Sequence, residues 1–389
     1  MSPRNKRVFV SDIHMGDEAS INPPTGFYAY GWLGAHRAES FAKFLESKLN
    51  DPEVKEVIIL GDLFDDWVCP VTIDPVPDPS TGISQFKKIA QSKQNRKIIE
   101  NLNKIADNPE INLIYVPGNH DMLIDEGELK EIIPNISYMT NGPGEGVFSA
   151  DGINAEHGNS YCLFNAPDTY SNPTHSLPLG FFISRAVADE VYRTGKSVNS
   201  VEVLLEAIER LLGAADFAKS VFEAVVEEAG LQQSSIVKMN GIDGYSDSVT
   251  IAQATQWFAD LYEQWEPHKP GNVNKFKAVL DDAGLLGLAA KTQYFEPNHG
   301  KGIVIFGHTH KYVLRGDGFD ENDPDPESLE IKKTPSQRIY ANCGTWIDAK
   351  KSTYIETQLD QDAGKHYVRL WQHHSGRDAD LLSQRFIKI

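Results

Sequence analysis

Short apolar runs recur along the chain, and each of them ends at a cluster of polar residues. Four of these runs are continuous and rich in β-branched residues, at positions 8–10, 57–60, 111–116 and 303–306. Continuous runs of this kind predict strands that are buried on both faces. Stretches with helical spacing of the apolar residues separate them, near 38–49 and 86–106. The alternation predicts an α/β fold, in which functional groups lie beyond the carboxyl ends of the strands.

The pattern changes to longer helical repeats between residues 185 and 295. Stripes of apolar residues at helical spacing predict amphipathic helices that pack on another part of the protein. We therefore expect a catalytic domain formed by 1–184 and 296–389, interrupted by a helical insertion at 185–295 that acts as a cap or a packing element. Pro, Asp and Gly cluster at 70–82 and 316–326, which predicts two loops.

The charge of the chain limits its possible partners. The sequence has 55 acidic and 37 basic residues and a net charge of −18, and so acidic a surface repels duplex nucleic acid. No run approaches the ~18 apolar residues of a membrane span. The basic start of the chain is followed by an apolar run that is too short for a signal peptide, so we expect a cytoplasmic protein. The sequence gives no indication of the oligomeric state.

Five polar clusters carry the candidate chemistry. They are Asp12-Ile13-His14, Gly61-Asp62, Gly118-Asn119-His120-Asp121, His157-Gly158 and Gly307-His308-Thr309-His310. Their carboxylate, amide and imidazole groups, without a thiolate, suit Mn²⁺, iron or Zn²⁺ rather than a structural zinc. A motif such as Asp-x-His is weak alone, and a single histidine is more often structural than a ligand. All five together, each after an apolar run, predict one site that holds two divalent metals.

These clusters resemble the motifs of the calcineurin-like metallophosphoesterase superfamily. The resemblance spans roughly 7–165 and 301–348 and does not cover the helical insertion. It implies a β-sandwich flanked by helices, with a dinuclear metal site at the strand ends. The family pattern places one metal on Asp12, His14, Asp62 and His310, and the other on Asp62, Asn119, His157 and His308. Two divalent ions are thus the expected cofactors, with Mn²⁺ favoured and iron or zinc as alternatives.

The resemblance also implies the hydrolysis of phosphate esters on a small phosphorylated substrate. A hydroxide that bridges the two metals would attack phosphorus in line with the leaving oxygen. His120 matches the family's general acid, and Asp65 is the carboxylate expected to orient it. We expect phosphodiester or pyrophosphate bonds to be cleaved in preference to monoesters.

Finer resemblance points to the branch that contains bacterial UDP-2,3-diacylglucosamine diphosphatase. The matching segments are 61–67, His157-Gly158 with Cys162 nearby, and 342–346. Two positions depart from that branch, which has Asp where this chain has Asn159 and Arg where it has His120.

Three alternatives remain at this point. A phosphomonoesterase would use the same centre, and a protein phosphatase would carry Arg at the position of Asp66. A scaffold that keeps the fold without turnover would be expected to have lost metal ligands, whereas this chain retains all seven together with His120.

Overall fold

The computed structural model describes most of the chain, with gaps. The described residues are 4–22, 34–69, 83–167, 177–194, 220, 223–224, 226–227, 231–239, 242, 248–264, 282–317, 329–347 and 351–389. The loop predicted at 70–82, most of the loop predicted at 316–326 and the helical stripes at 201–219 lie outside them.

The strands alternate with helices over the first third of the chain, and long antiparallel strands end it. The strands are β1 Lys6–Val10, β2 Val54–Leu60, β3 Asn112–Val116, β4 Ser137–Tyr138, β5 Phe148–Ala150, β6 Ile153–Ala155, β7 Ile236–Lys238, β8 Ser248–Thr250, β9 Gly302–Phe306, β10 Val313–Arg315, β11 Arg338–Asn342, β12 Ser352–Asp360, β13 Lys365–His373 and β14 Asp380–Lys388. The helices are α1 Glu18–Ile21, α2 Ala35–Leu49, α3 Gln85–Gln91, α4 Arg96–Ala106, α5 Glu126–Ile132, α6 Leu179–Thr194, α7 Ile251–Gln264 and α8 Asp282–Ala289. A 3₁₀ turn at Asn159–Tyr161 and a π-helical turn at Ala290–Phe295 complete the described elements.

Two sheets form the centre of the fold. The larger has the strand order β14-β13-β12-β1-β2-β3-β4, and the smaller has the order β10-β11-β9-β6-β5. Strands β1 to β4 pair in parallel, as do β6, β9 and β11. Parallel pairing places the carboxyl ends of neighbouring strands at the same edge of a sheet. The four strands predicted from the continuous apolar runs are confirmed as β1, β2, β3 and β9.

Alternation along the strands explains why these runs are apolar throughout. In β2, Ile58 and Leu60 pack in the core between the sheets, whereas Val57 and Ile59 pack with α2 to α5 on the outside. In β9, alternate residues face the same inner core or a third cluster that includes α6 and α8. Each of these strands is therefore covered on both faces. The predicted β-sandwich flanked by helices is confirmed.

The helix predicted near 86–106 is instead two helices, α3 and α4, and Asn95 lies at the break. Its buried Nδ2 donates to the carbonyl of Ile89, 2.8 Å away, and to the carbonyl of Gly16, 2.9 Å away. This second contact ties the break to the loop that follows β1. A side chain that competes for backbone carbonyls in this way interrupts a helix despite favourable apolar spacing.

The region predicted as a helical insertion contains helices and also a hairpin, β7-β8, that the pattern did not predict. Its predicted boundary at residue 185 falls inside α6. The described part packs over the outer face of the smaller sheet. Within the described ranges, every helix is too short or too polar to cross a membrane. The division into domain and insertion stays a prediction.

Replacing Asn95 with Ala should lower the free energy of unfolding by about 1–3 kcal/mol, because two buried carbonyls each lose a hydrogen bond. Urea titration of the purified protein measures the change. Asn135→Ala is the matched control, since its side chain makes one exposed hydrogen bond, to Asp107, and should cost no more than about 0.5 kcal/mol. Equal losses in the two variants would show that Asn95 does not fasten the break.

Candidate metal centre

The polar clusters predicted from the sequence come together at one edge of the sandwich. Asp12 and Asp62 each follow a strand of the larger sheet by two residues, and Asn119 follows β3. His157 and His308 stand in the same relation to β6 and β9 of the smaller sheet. Because all five strands end at this edge, side chains from distant parts of the chain meet there.

Most of these residues have an unusual backbone conformation. Five of the seven candidate ligands have a left-handed φ: Asp12 (54°), His14 (52°), Asp62 (54°), His308 (71°) and His310 (58°). Non-glycine residues seldom adopt this conformation, and it persists only where the surroundings hold it.

Backbone contacts between the loops supply that restraint. The carbonyl of Asp12 accepts from Thr345 Oγ1 at 3.0 Å and from the amide of Trp346 at 3.1 Å. The amide of His14 donates to the carbonyl of Asp62, 2.8 Å away, and that of His308 donates to Asp12 Oδ2, 3.0 Å away. Four of the five strained residues, Asp12, His14, Asp62 and His308, are therefore fixed by a loop from another strand.

Two glycines make room for the Asp62 carboxylate and for the His157 ring. A Cβ on Gly118 would lie 2.2 Å from Asp62 Oδ1, and a Cβ on Gly61 would lie 2.6 Å from His157 Nδ1. Both distances are far below a normal contact, so only glycine allows the two loops to approach this closely.

Asp12, His14, Asp62 and His310 form the first group of candidate ligands. His14 Nδ1 lies 2.7 Å from Asp65 Oδ2, an oxygen that can only accept when ionised, so Nδ1 carries the proton of the neutral ring. His14 Nε2 is then a bare nitrogen, 3.1 Å from His310 Nε2 and 3.7 Å from Asp62 Oδ2. His310 Nε2 in turn lies 3.3 Å from Asp12 Oδ1.

The second group contains Asp62, Asn119, His157 and His308. His157 Nδ1 donates to the carbonyl of Leu60, 2.8 Å away. Its Nε2 faces two oxygens, Asp62 Oδ2 at 3.2 Å and Asn119 Oδ1 at 3.1 Å. The ring of His308 lies beside that of His157, with 5.2 Å between centroids.

This donor set fits divalent cations. In the neutral rings, the bare nitrogens of His14 and His157 point at other lone pairs, which is repulsive unless a positive charge lies between them. Within the described residues, ligand atoms of Asp12, His14 and His310 lie within 4.8 Å of one another, and so do those of Asp12, Asp62 and His157. Since Asp62 reaches both groups of ligands, the arrangement indicates a dinuclear site with Asp62 shared.

In the metal-free protein, protons on His14 and His157 supply the positive charge that the site needs. Burial lowers the pKa of His14 and of His157, but the Asp65 hydrogen bond raises the first to about 9 and the charge of Asp62 raises the second to about 10. Burial also raises the pKa of Asp62, yet the nearby His157 and His120 hold it well below its usual range. Both rings are therefore cationic at neutral pH until metal displaces their protons.

Asp65, predicted to orient His120, contacts two histidines. Its Oδ1 lies 2.6 Å from His120 Nδ1, and its Oδ2 is the partner of His14. His120 also donates its backbone amide to Asp62 Oδ1, 2.9 Å away. The predicted acid, its orienting carboxylate and the shared ligand thus form one hydrogen-bonded set.

Sequence reasoning missed two residues that support this site, through Asn119 and His308 or through Asp66. Asn165 accepts from Asn119 Nδ2 at 3.4 Å and lies 3.5 Å from His308 Nε2. Arg185, on α6, makes a buried ion pair with Asp66 at 2.7 Å. An acid next to Asp65 in an apolar segment signals the need for a buried cation, but nothing in the pattern identifies Arg185 as its source.

Comparison with known proteins matches most of the chain to one family. A family model described as calcineurin-like phosphoesterase matches residues 6–312. Among solved structures, the chain is similar to a purple acid phosphatase isolated from yellow lupin (Lupinus luteus) seeds, with 11% identity and a TM-score of 0.36. That match covers 99% of this chain and 53% of the lupin chain, so the chain spans about half the length of that protein. Likeness at this level carries no argument about function. No curated protein matches the sequence.

Metal uptake by the metal-free protein at pH 7 should release at least about two protons, because His14 and His157 must lose theirs to bind. Calorimetry of Mn²⁺ binding in buffers of different ionisation enthalpy counts them. Raising the pH should tighten the apparent affinity, because fewer protons then compete. An enthalpy that does not depend on the buffer would contradict the assignment.

The stability of the metal-free protein should decrease at high pH. Stabilisation from the raised pKa values is complete below the ordinary histidine value of 6.5 and is lost as the pH rises through about 9 and about 10. Its melting temperature should therefore fall over that window, and the fall should be smaller in the metal-loaded protein.

Proposed function

Because this chain belongs to the calcineurin-like phosphoesterase family, we propose that it is a metal-dependent hydrolase of phosphodiester or pyrophosphate bonds in small phosphorylated substrates. The observation that carries the proposal is the position of Asp62. Its carboxylate is buried between two groups of metal-ligating side chains that come from both sheets.

The ligand assignment follows the two groups of side chains. Asp12, His14, Asp62 and His310 would hold one ion, and Asp62, Asn119, His157 and His308 the other. The neutral amide of Asn119 supports this division, because a further carboxylate beside Asp62 would leave excess negative charge. Mn²⁺ is the favoured metal and iron or zinc the alternatives, since the set contains no thiolate.

The proposed chemistry divides between the metals and one histidine. Two bound divalent ions supply a strong nucleophile from water at neutral pH and neutralise charge on the phosphoryl group. His120 donates a proton from Nε2 to the leaving oxygen. Asp65 holds the opposite ring nitrogen, so it fixes the orientation of the imidazole.

One feature supports diesters over monoesters, and another argues against a protein phosphatase. The chain carries a net charge of −18, which opposes the doubly charged phosphate of a monoester more than the singly charged phosphate of a diester. The pattern typical of the superfamily's protein phosphatases has Arg at the position of Asp66. In this chain, Asp66 is an acid that pairs with Arg185 inside the fold.

The UDP-2,3-diacylglucosamine diphosphatase branch is not part of the proposal. The comparisons match the family as a whole, and His120 and Asn159 depart from that branch. The bond class is therefore proposed here without that substrate, and the cytoplasmic location stays a prediction.

Turnover of a substrate panel with Mn²⁺ tests the bond class. Methyl p-nitrophenyl phosphate and inorganic pyrophosphate should give a higher kcat/KM than p-nitrophenyl phosphate. Asp62→Ala should lose both bound metal and turnover, because each group of ligands loses its shared carboxylate. Asp378→Ala is the control, as this acid is exposed in the turn between β13 and β14. Faster monoester hydrolysis would overturn the preference, and a metal-loaded protein without any turnover would favour the scaffold alternative.

His120→Gln should slow catalysis by ~10²–10⁴ for leaving groups that need a proton, which is the usual contribution of one general acid. Methyl phenyl phosphate releases the basic phenolate and should show the full loss. Methyl p-nitrophenyl phosphate has the same shape but a much weaker base as leaving group, and should show far less. Bound metal, measured by elemental analysis, should not change. The exposed His36, as His36→Gln, serves as the control. Equal rates of the variant and the parent on both esters would remove His120 from the mechanism.

A further inference from the structure

Trp67 is one of the most buried large side chains of the described structure, and it lies against the proposed acid. Its exposure is 1%, and its ring stacks on His120 with 4.2 Å between centroids and 26° between planes. Stacked aromatic rings at such distances attract each other beyond simple burial. An indole face also attracts a cationic ring.

Other contacts fix the remaining sides of the His120 ring. Asp65 holds Nδ1, and the ring of His14 meets it edge to face at 4.8 Å and 81°. The backbone on both sides is held as well, since the amide donates to Asp62 and the carbonyl accepts from the amide of Asp66 at 3.2 Å. The indole supplies a contact along the face of the ring, which the hydrogen bonds do not restrain.

Helix α6 holds the indole in turn. Phe181 meets Trp67 edge to face at 6.1 Å and 86°. A Cβ on Gly180 would lie 2.9 Å from Trp67 Cζ3, so the start of α6 lies directly against the indole. Arg185 then joins α6 to Asp66, the residue before Trp67, through an ion pair whose two side chains are only 3% and 6% exposed. Trp67 is thus fixed between a helix and the proposed acid.

We propose that Trp67 is a positioning residue for His120. The indole restrains rotation of the imidazole out of its plane and so sets the direction in which Nε2 delivers its proton. Proton transfer depends steeply on this geometry, and a displacement of about 1 Å can cost ~10²-fold in rate. The inference rests on the proposed role of His120 as general acid.

A double-mutant cycle of Trp67→Leu and His120→Gln tests the inference, with methyl phenyl phosphate and methyl p-nitrophenyl phosphate as probes in the Mn²⁺-loaded full chain. If the corresponding monoesters are hydrolysed faster, phenyl phosphate and p-nitrophenyl phosphate take their place. Trp67→Leu alone should lower kcat for the phenyl ester by roughly 10- to 100-fold, with KM and bound metal nearly unchanged. The loss for the p-nitrophenyl ester should be several times smaller.

The cycle separates positioning from packing. If Trp67 acts through His120, then Trp67→Leu costs little more in the His120→Gln background, because the two effects are not additive. Trp67→Phe should restore most of the rate, since it keeps an aromatic face. If Trp67→Leu does not fold, Trp67→Met enters the same cycle, because its flexible side chain fills irregular space.

Phe148→Leu is the matched control for lost packing. Phe148 is a buried aromatic between the two sheets, in contact with Phe9, and it belongs to a different cluster of core residues from Trp67. This variant should lose stability without any dependence on the leaving group.

Two outcomes overturn the inference. Equal losses for both leaving groups, or additive losses in the double variant, would show that Trp67 only packs the core. If His120→Gln itself had no effect on either ester, the proposed acid would be wrong, and the failure would lie with the proposed function instead.

Discussion

The structure depends on one electrostatic constraint, the burial of several carboxylates at one point. Asp12, Asp62 and Asp65 are almost fully buried, and an isolated buried anion is costly unless positive charge and hydrogen bonds compensate it. The imidazoles of His14 and His157 provide that charge as protonated rings. Bound divalent ions would provide it more fully. The need for a cation is therefore part of the fold itself.

The two-sheet architecture explains how such a set is assembled from distant segments. Parallel strands of both sheets end at the same edge, and the loops that follow them carry all the candidate ligands. Hydrogen bonds between these loops hold four of the five left-handed ligand residues, so the loops depend on one another. Removal of one strand end would release strain in its neighbours as well as one ligand.

The sequence predicted four central strands and the meeting of the candidate ligands at one edge, because both depend on local patterns. Continuous apolar runs identify strands that are covered on both faces, and four of the five clusters follow such a run directly. The break at Asn95 was missed because it depends on a contact with Gly16, 79 residues away. Arg185 lies 119 residues from Asp66, and Asn165 belongs to no motif. Contacts of this range leave no periodic signal, and the stripes at 201–219 lie outside the described residues.

Asp65 does more than orient the ring of His120. Its two oxygens bind two different imidazoles, one on a candidate metal ligand and one on the proposed proton donor. A shift of either ring must move this carboxylate or weaken its contact with the other ring, because the two oxygens belong to one rigid group. The positions of the candidate metal ligand and of the proposed proton donor are therefore coupled. Any change that displaces His14 is transmitted to His120 through a single carboxylate.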